Sequence, residues 1–86
     1  MKEIKEIPLS SLPVGAVATV VGLCLGRETR LRITELGFGR GERVRCVGVS
    51  ALGDPRAYNS RGRTVAFRSC DAQNIICTIG DTDERK

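Results

Sequence analysis

Short apolar segments separated by turn residues follow one another along this chain. Residues 16–23 are rich in valine and are bounded by glycines, which is typical of a strand. In the segment 42–50, Val44 and Cys46 alternate with arginines, which indicates a strand with one buried side and one solvent-facing side. Further strands are predicted at residues 56–60, 64–68 and 75–79. The pattern therefore predicts about five short strands at close spacing.

The segment 27–36 differs from these, because it consists mainly of residues that form helices well. Gly37 follows it at the position where a left-handed cap commonly ends a helix. Asp71 is the expected N-cap of a single helical turn that ends at Asn74. No helix connects two strands as in a parallel βαβ unit. The predicted fold class is therefore mainly β: a small antiparallel, partly open β-barrel of about five strands with one short helix.

The length and the turns indicate one domain. The segment 52–55 reads Leu-Gly-Asp-Pro, which predicts a turn between two strands, and residues 61–63 predict a second turn. A chain of 86 residues has room for a single domain. We expect the domain to span residues 9–79, with an N-terminal lead-in at residues 1–8 and a polar C-terminal tail at residues 80–86.

The composition excludes several kinds of chemistry. The chain has no histidine, so a Ser-His-Asp or Cys-His mechanism and a zinc site with imidazole ligands are excluded. Asp54 is a carboxylate without a partner, which suits a turn better than general acid–base catalysis. We therefore expect no catalytic residue, no bound cofactor and no enzymatic activity.

The cysteines show no metal-binding motif, since no two of them have the two-residue spacing of a ligand pair. Cys46 and Cys77 lie at alternating positions of apolar strands and should be buried. Cys24 and Cys70 lie near turns and should be more exposed, and all four should be free thiols in a reducing cytosol. No metal site is predicted, and a site built from all four thiolates stays an alternative.

Arginine supplies all ten basic side chains between residues 9 and 79, where five carboxylates leave a net charge of +5. Its planar guanidinium suits bidentate contacts with carboxylate or phosphate better than lysine does. Four arginines come from neighbouring strands and turns and could form one basic face: Arg45, Arg61, Arg63 and Arg68. Such a face would fit an acidic patch on a protein or anionic lipid headgroups. Scattered, solvated arginines are the alternative.

Several short motifs follow one another over residues 9–79. They are Leu9-Ser10-x-Leu12-x-x-Gly15, Glu35-Leu36-Gly37-Phe38-x-x-Gly41, Leu52-Gly53-Asp54-Pro55, Arg61-Gly62, Val65-Ala66-Phe67-Arg68 and Asp71-Ala72-x-x-Ile75. In order and spacing they resemble the ferrous iron transport protein A (FeoA) family. The chain departs from that family at Ala51, where proline is usual, and at Arg63, where an aromatic residue is usual.

The resemblance implies an SH3-like barrel and a small cytoplasmic accessory protein of ferrous iron (Fe2+) uptake. The implied partner is a membrane-bound ferrous iron transporter with a GTPase domain (FeoB-type), and the protein would reach the membrane only through this partner. No apolar run approaches the ~18–20 residues of a membrane span, and the first residues lack the apolar stretch of a signal peptide. The expected partner-binding residues are Leu52, Asp54, Pro55, Tyr58, Arg45, Arg61, Arg63 and Arg68.

Two other functions stay open at this point. A small barrel that binds or senses Fe2+ or another transition metal would use the cysteine and glutamate side chains. A nucleic-acid-binding barrel would follow from the net charge of +4, but aromatic residues are scarce at 3%, so no nucleic-acid partner is expected. An open barrel edge would also allow weak self-association.

Overall fold

The computed structural model describes residues 4–80, and its main element is one antiparallel sheet of six strands. The strands are β1 (Ile4–Pro8), β2 (Val17–Leu23), β3 (Arg43–Val49), β4 (Arg56–Ser60), β5 (Arg63–Phe67) and β6 (Ile75–Gly80). Their order in the sheet is β1-β6-β2-β3-β4-β5, so β1 and β5 form its two edges. The mainly β, antiparallel and open architecture is the predicted one.

Strand β1 is the element that the sequence analysis does not predict, since it lies within the lead-in of residues 1–8. It pairs with β6 at the other end of the chain, from Ile4↔Gly80 to Pro8↔Ile76. Its two charged residues and its terminal proline weaken the local strand pattern. The sheet therefore has six strands rather than five, because a long-range pairing completes it.

Helix α1 (Arg27–Ile33) begins where the sequence predicts it and continues as a wider π-helical turn over Thr34–Phe38. Gly37 has a φ of 98° in this turn, so the predicted left-handed position is confirmed. The left-handed backbone at Gly37 ends the helical segment and turns the chain towards β3.

The second helix, α2 (Ser69–Ala72), begins three residues before the expected position. Its N-cap residue is Arg68 and Asp71 lies inside it, so the prediction of Asp71 as N-cap is wrong. The reason is that another carboxylate, that of Asp54, accepts a hydrogen bond from the first N–H group of this helix.

One core joins the inner face of the sheet to the helical segments. The ring centroids of Phe38 and Phe67 are 5.0 Å apart in an edge-to-face arrangement, and those of Tyr58 and Phe67 are 6.0 Å apart. The buried hydrophobic residues are Leu9, Leu12, Ala18, Val20, Ile33, Phe38, Val44, Cys46, Tyr58, Phe67, Ala72, Ile75 and Cys77. The core therefore contains every aromatic ring of the chain. Between residues 4 and 80, no helix is long and apolar enough to cross a membrane.

Candidate partner-binding surfaces

The β3–β4 turn (residues 50–55) holds Leu52 in solvent with 94% of its side chain exposed. Two backbone hydrogen bonds close this turn, from Gly53 N–H to the Ser50 carbonyl at 2.9 Å and from Ser50 N–H to the Pro55 carbonyl at 3.1 Å. Gly53 has a φ of 87°, a conformation that glycine adopts at little cost. The turn therefore has a defined shape, with Leu52 and the exposed Pro55 on its surface.

Asp54 connects this turn to α2. Its Oδ1 accepts a hydrogen bond of 2.8 Å from the backbone N–H of Ser69, the first residue of the helix. The exposed Arg68 directly precedes Ser69 and therefore lies at the same end of the sheet as Leu52. The structure thus brings together four of the candidate residues: Leu52, Asp54, Pro55 and Arg68.

Tyr58 does not belong to this surface. Its side chain is 0% exposed, so the prediction that it contacts a partner is wrong. The reason is the alternation of β4, which places Tyr58 and Ser60 on the inner face and Asn59 on the outer face. The Tyr58 hydroxyl donates a hydrogen bond of 3.1 Å to the Leu9 carbonyl. Burial raises the pKa of this hydroxyl.

Arg56 is a partly buried cation that the sequence analysis misses. Its Nη2 donates a hydrogen bond to the Leu12 carbonyl and lies 3.5 Å from the Sγ of Cys46. Burial works against the charge, but contacts with Cys46 and Tyr58 outweigh this effect and raise the pKa of Arg56. Only the pairing of β3 with β4 reveals this role, because an arginine at a strand start otherwise suggests a solvated side chain.

The four arginines predicted to form one basic face do not share a face. Arg68 follows β5 and lies beside the start of β4, near the β3–β4 turn, whereas Arg61 follows the end of β4. The five residues of β4, at ~3.3 Å each, separate the two arginines by about 16 Å. Arg45 pairs with Asn59, whose side chain faces outward. Arg63 pairs with the buried Ser60, so the Arg63 side chain leaves the backbone on the opposite side of the sheet. Arg61 lies between the two sides: it shares a depression on the outer side with Arg45 and with Arg43 of β3, and a second one with Arg63.

The cysteines divide as the sequence predicts. Cys46 and Cys77 are buried, and Cys24 and Cys70 are exposed. Burial raises the pKa of the Cys77 thiol to about 11. Because two thiols lie in the core and two at the surface, the four do not form a common site. Among the residues from 4 to 80, no three cysteine, aspartate or glutamate side chains come together as a metal site.

Solved bacterial structures share this arrangement of strands and helices. The FeoA protein from Chlorobium tepidum is 31% identical with a TM-score of 0.83, and the match covers 91% of this chain and 74% of that one. Iron(II) transport protein A from Clostridium thermocellum is 29% identical with a TM-score of 0.80, over 85% of this chain and 45% of that one. The zinc complex of Stenotrophomonas maltophilia FeoA, described as a prokaryotic SH3 domain protein, is 30% identical with a TM-score of 0.67. This match covers 80% of this chain and 86% of that one. The fold is therefore that of a small SH3-like domain.

The family follows from a direct match to the sequence. The FeoA domain model matches residues 7–79, which is well over half of the 86 residues. The chain belongs to the FeoA family, which confirms the resemblance of its motifs. No curated protein sequence matches the chain.

Proposed function

We propose that this protein is a small cytoplasmic accessory protein of bacterial ferrous iron uptake. It docks on the cytosolic side of a membrane-bound, GTP-hydrolysing iron transporter, and it acts by binding rather than by catalysis. Support comes from its family and from the names of two relatives, one an iron(II) transport protein A and one a candidate activating factor of ferrous iron transport. The unit that carries this function is the domain of residues 9–79 together with β1, which completes its sheet.

The exposure of Leu52 is the observation that carries the proposal. A single exposed leucine is ordinary on a protein surface, but this one belongs to a hydrogen-bonded turn that Asp54 fastens to α2. Little conformational entropy is lost when such a turn binds a partner. Burying the side chain there would contribute about 1.5–3 kcal/mol.

The neighbours of Leu52 indicate what the partner should offer. Protein interfaces commonly combine a few buried apolar anchors with a polar rim. Here Leu52 and Pro55 provide the apolar part, and Arg68 provides a positive charge at the same end of the sheet. The partner surface should therefore be an apolar pocket with a carboxylate at its edge.

Capture of the detergent-solubilised, full-length transporter from the same organism tests this proposal, with and without a GTP analogue. Leu52→Asp should reduce capture at least tenfold, because it removes the anchor and places a carboxylate in an apolar pocket. Leu31→Asp is the matched control, since Leu31 is 52% exposed and belongs to α1 rather than to the turn. Melting curves show whether each variant is folded. Equal capture by folded samples of both variants would contradict the docking role of the turn.

A further inference from the structure

The outer face of the sheet carries a shallow depression of about 240 Å3 between the ends of β3 and β4. It lies at the end of β4 that is remote from Leu52. Its lining includes Val17, Arg43, Arg45, Asn59 and Arg61. We call it the arginine depression. None of these residues belongs to the proposed docking surface around Leu52.

The strand register brings the three guanidinium groups of the depression to one place. Arg45 lies directly across from Asn59, and Arg43, two residues earlier on the same side of β3, lines the depression together with Arg61, which follows the end of β4. The side chains of Arg43 and Arg45 face outward, because Val44, which lies between them, and Cys46, which follows Arg45, are both buried. Like charges opposite one another destabilise a sheet. The depression therefore concentrates charge that a bound anion would neutralise.

The charges of the depression are only partly balanced within the protein. Glu42 accepts a hydrogen bond from Arg61 Nε at 3.1 Å, and its other oxygen lies 3.1 Å from Arg61 Nη2. One carboxylate beside three guanidinium groups leaves two positive charges. The bidentate pair also fixes the plane of the Arg61 guanidinium, whose Nη1 remains available to a ligand. Asn59 is fixed as well, since its Nδ2 donates a hydrogen bond of 3.0 Å to Thr64 Oγ1.

The backbone at Arg61 gives an independent indication. Arg61 has a φ of 58° and Gly62 has a φ of 81°, so the β4–β5 turn has positive φ at both central residues. Asparagine, aspartate and glycine are preferred at the first of these positions, and a long side chain there is uncommon. Strained positions of this kind often belong to functional sites. A direct role of the guanidinium explains why arginine occupies this position.

We propose that the arginine depression binds a phosphate group. A phosphate monoester carries about −1.5 to −2 charges at pH 7, which matches the two unbalanced positive charges. Its oxygens accept bidentate hydrogen bonds from guanidinium groups, which lysine does not offer in the same geometry. The ligand is a soluble phosphate monoester or the phosphodiester of an anionic lipid headgroup, since both offer anionic oxygens to the guanidinium groups of an exposed site; the diester carries one negative charge and so neutralises less of the depression.

A titration of the 15N-labelled full chain with inorganic phosphate at constant ionic strength tests the proposal. With phosphate we expect saturable chemical-shift changes at residues 43–45 and 59–62. Chloride at the same ionic strength is the control and should not produce these changes. Arg43→Gln combined with Arg45→Gln should weaken binding at least tenfold. Arg27→Gln combined with Arg30→Gln removes the same charge from exposed positions of α1 and should leave binding unchanged. Non-saturable shifts spread over all exposed arginines, or equal losses in the two double variants, would overturn the proposal.

Vesicle sedimentation then distinguishes the two sources of the phosphate. If the ligand is a lipid headgroup, vesicles containing phosphatidylglycerol should retain the protein, vesicles of phosphatidylcholine alone should not, and the Arg43 and Arg45 double variant should lose retention. If saturable phosphate binding occurs without vesicle retention, the ligand is a soluble phosphorylated molecule. The α1 double variant could instead lose vesicle retention to the same extent as the Arg43 and Arg45 double variant. Retention would then depend on net charge alone, which would contradict a lipid site in the depression.

Discussion

The carboxylate of Asp54 accepts a hydrogen bond of 2.8 Å from the backbone N–H of Ser69, fifteen residues further along the chain. This contact joins the turn that carries Leu52 to the start of α2. It gives Asp54 a structural role like that of an N-cap residue, although Asp54 belongs to a different segment. The proposed docking surface therefore depends on a tertiary contact as well as on its own turn.

Replacement of Asp54 by alanine should destabilise the protein by about 1 kcal/mol, the usual effect of losing a helix-capping oxygen. For a domain of this size, that corresponds to a fall of roughly 4–8 °C in melting temperature. Asp54→Asn retains an acceptor oxygen and should recover part of the loss. Thermal unfolding of the three proteins at pH 7 measures the effect. An alanine variant as stable as the parent would show that the hydrogen bond does not contribute.

Tyr58→Phe should also destabilise the protein, because it removes one of the two hydrogen bonds that the Leu9 carbonyl accepts, the other coming from the Leu12 N–H at 3.0 Å. The expected loss is about 0.5–1.5 kcal/mol in the free energy of unfolding, measured by urea denaturation. Capture of the transporter by the folded variant should remain unchanged, since Tyr58 is buried. A variant with full stability but weaker capture would restore Tyr58 to the partner surface.

Gly37→Ala tests the left-handed turn that ends the first helix. At a φ of 98° a Cβ atom is strained, so the variant should lose about 1–2 kcal/mol of stability. Gly48→Ala is the control, because Gly48 has no positive φ and an added Cβ there meets nothing within 4 Å. Equal melting temperatures of the two variants would contradict a conformational requirement at Gly37.

The stability of the protein should fall as the pH rises from about 9 to about 11. Burial raises the pKa of Cys77 from 9.0 to about 11, so the unfolded chain releases this proton at a lower pH than the folded chain does. The contribution of the protonated thiol is complete below pH 9 and is lost progressively until the folded pKa is reached. The expected loss is on the order of 1–3 kcal/mol.

Urea denaturation between pH 8 and pH 11 measures this dependence. Cys77→Ala should flatten the curve, whereas Cys24→Ala should leave its slope unchanged because Cys24 is exposed. The buried Tyr58, whose pKa is also raised, contributes a further fall near the upper end of this range in every variant. If the Cys77 and Cys24 variants had the same slope, the ionisation of Cys77 would not be its cause.

Local patterns were sufficient to predict most strands, because alternation along β3 identifies both its buried and its exposed residues. They were not sufficient for β1, whose pairing with β6 joins the two ends of the described chain. The burial of Tyr58 and Arg56 was missed for a similar reason. Strand β4 has no clear period of two in its sequence, so its inner face is set by the register with β3 and β5.

The candidate surface was predictable in part. The Leu-Gly-Asp-Pro sequence identifies the turn and its exposed leucine from turn chemistry alone. The separation of Arg68 from Arg45 and Arg61 was not predictable, since it depends on which end of each strand an arginine occupies in the sheet. The contact between Asp54 and Ser69 is likewise a consequence of the tertiary fold.

The most direct test of the proposed docking is an NMR footprint of the 15N-labelled full chain with the detergent-solubilised transporter. The proposed docking predicts selective broadening of the amide signals of residues 50–54 and of Arg68 and Ser69, with the signals of β1 unaffected. Leu52→Asp should abolish the broadening and Leu31→Asp should not. Binding that broadens the signals of other residues while those of residues 50–54 stay sharp would contradict this docking.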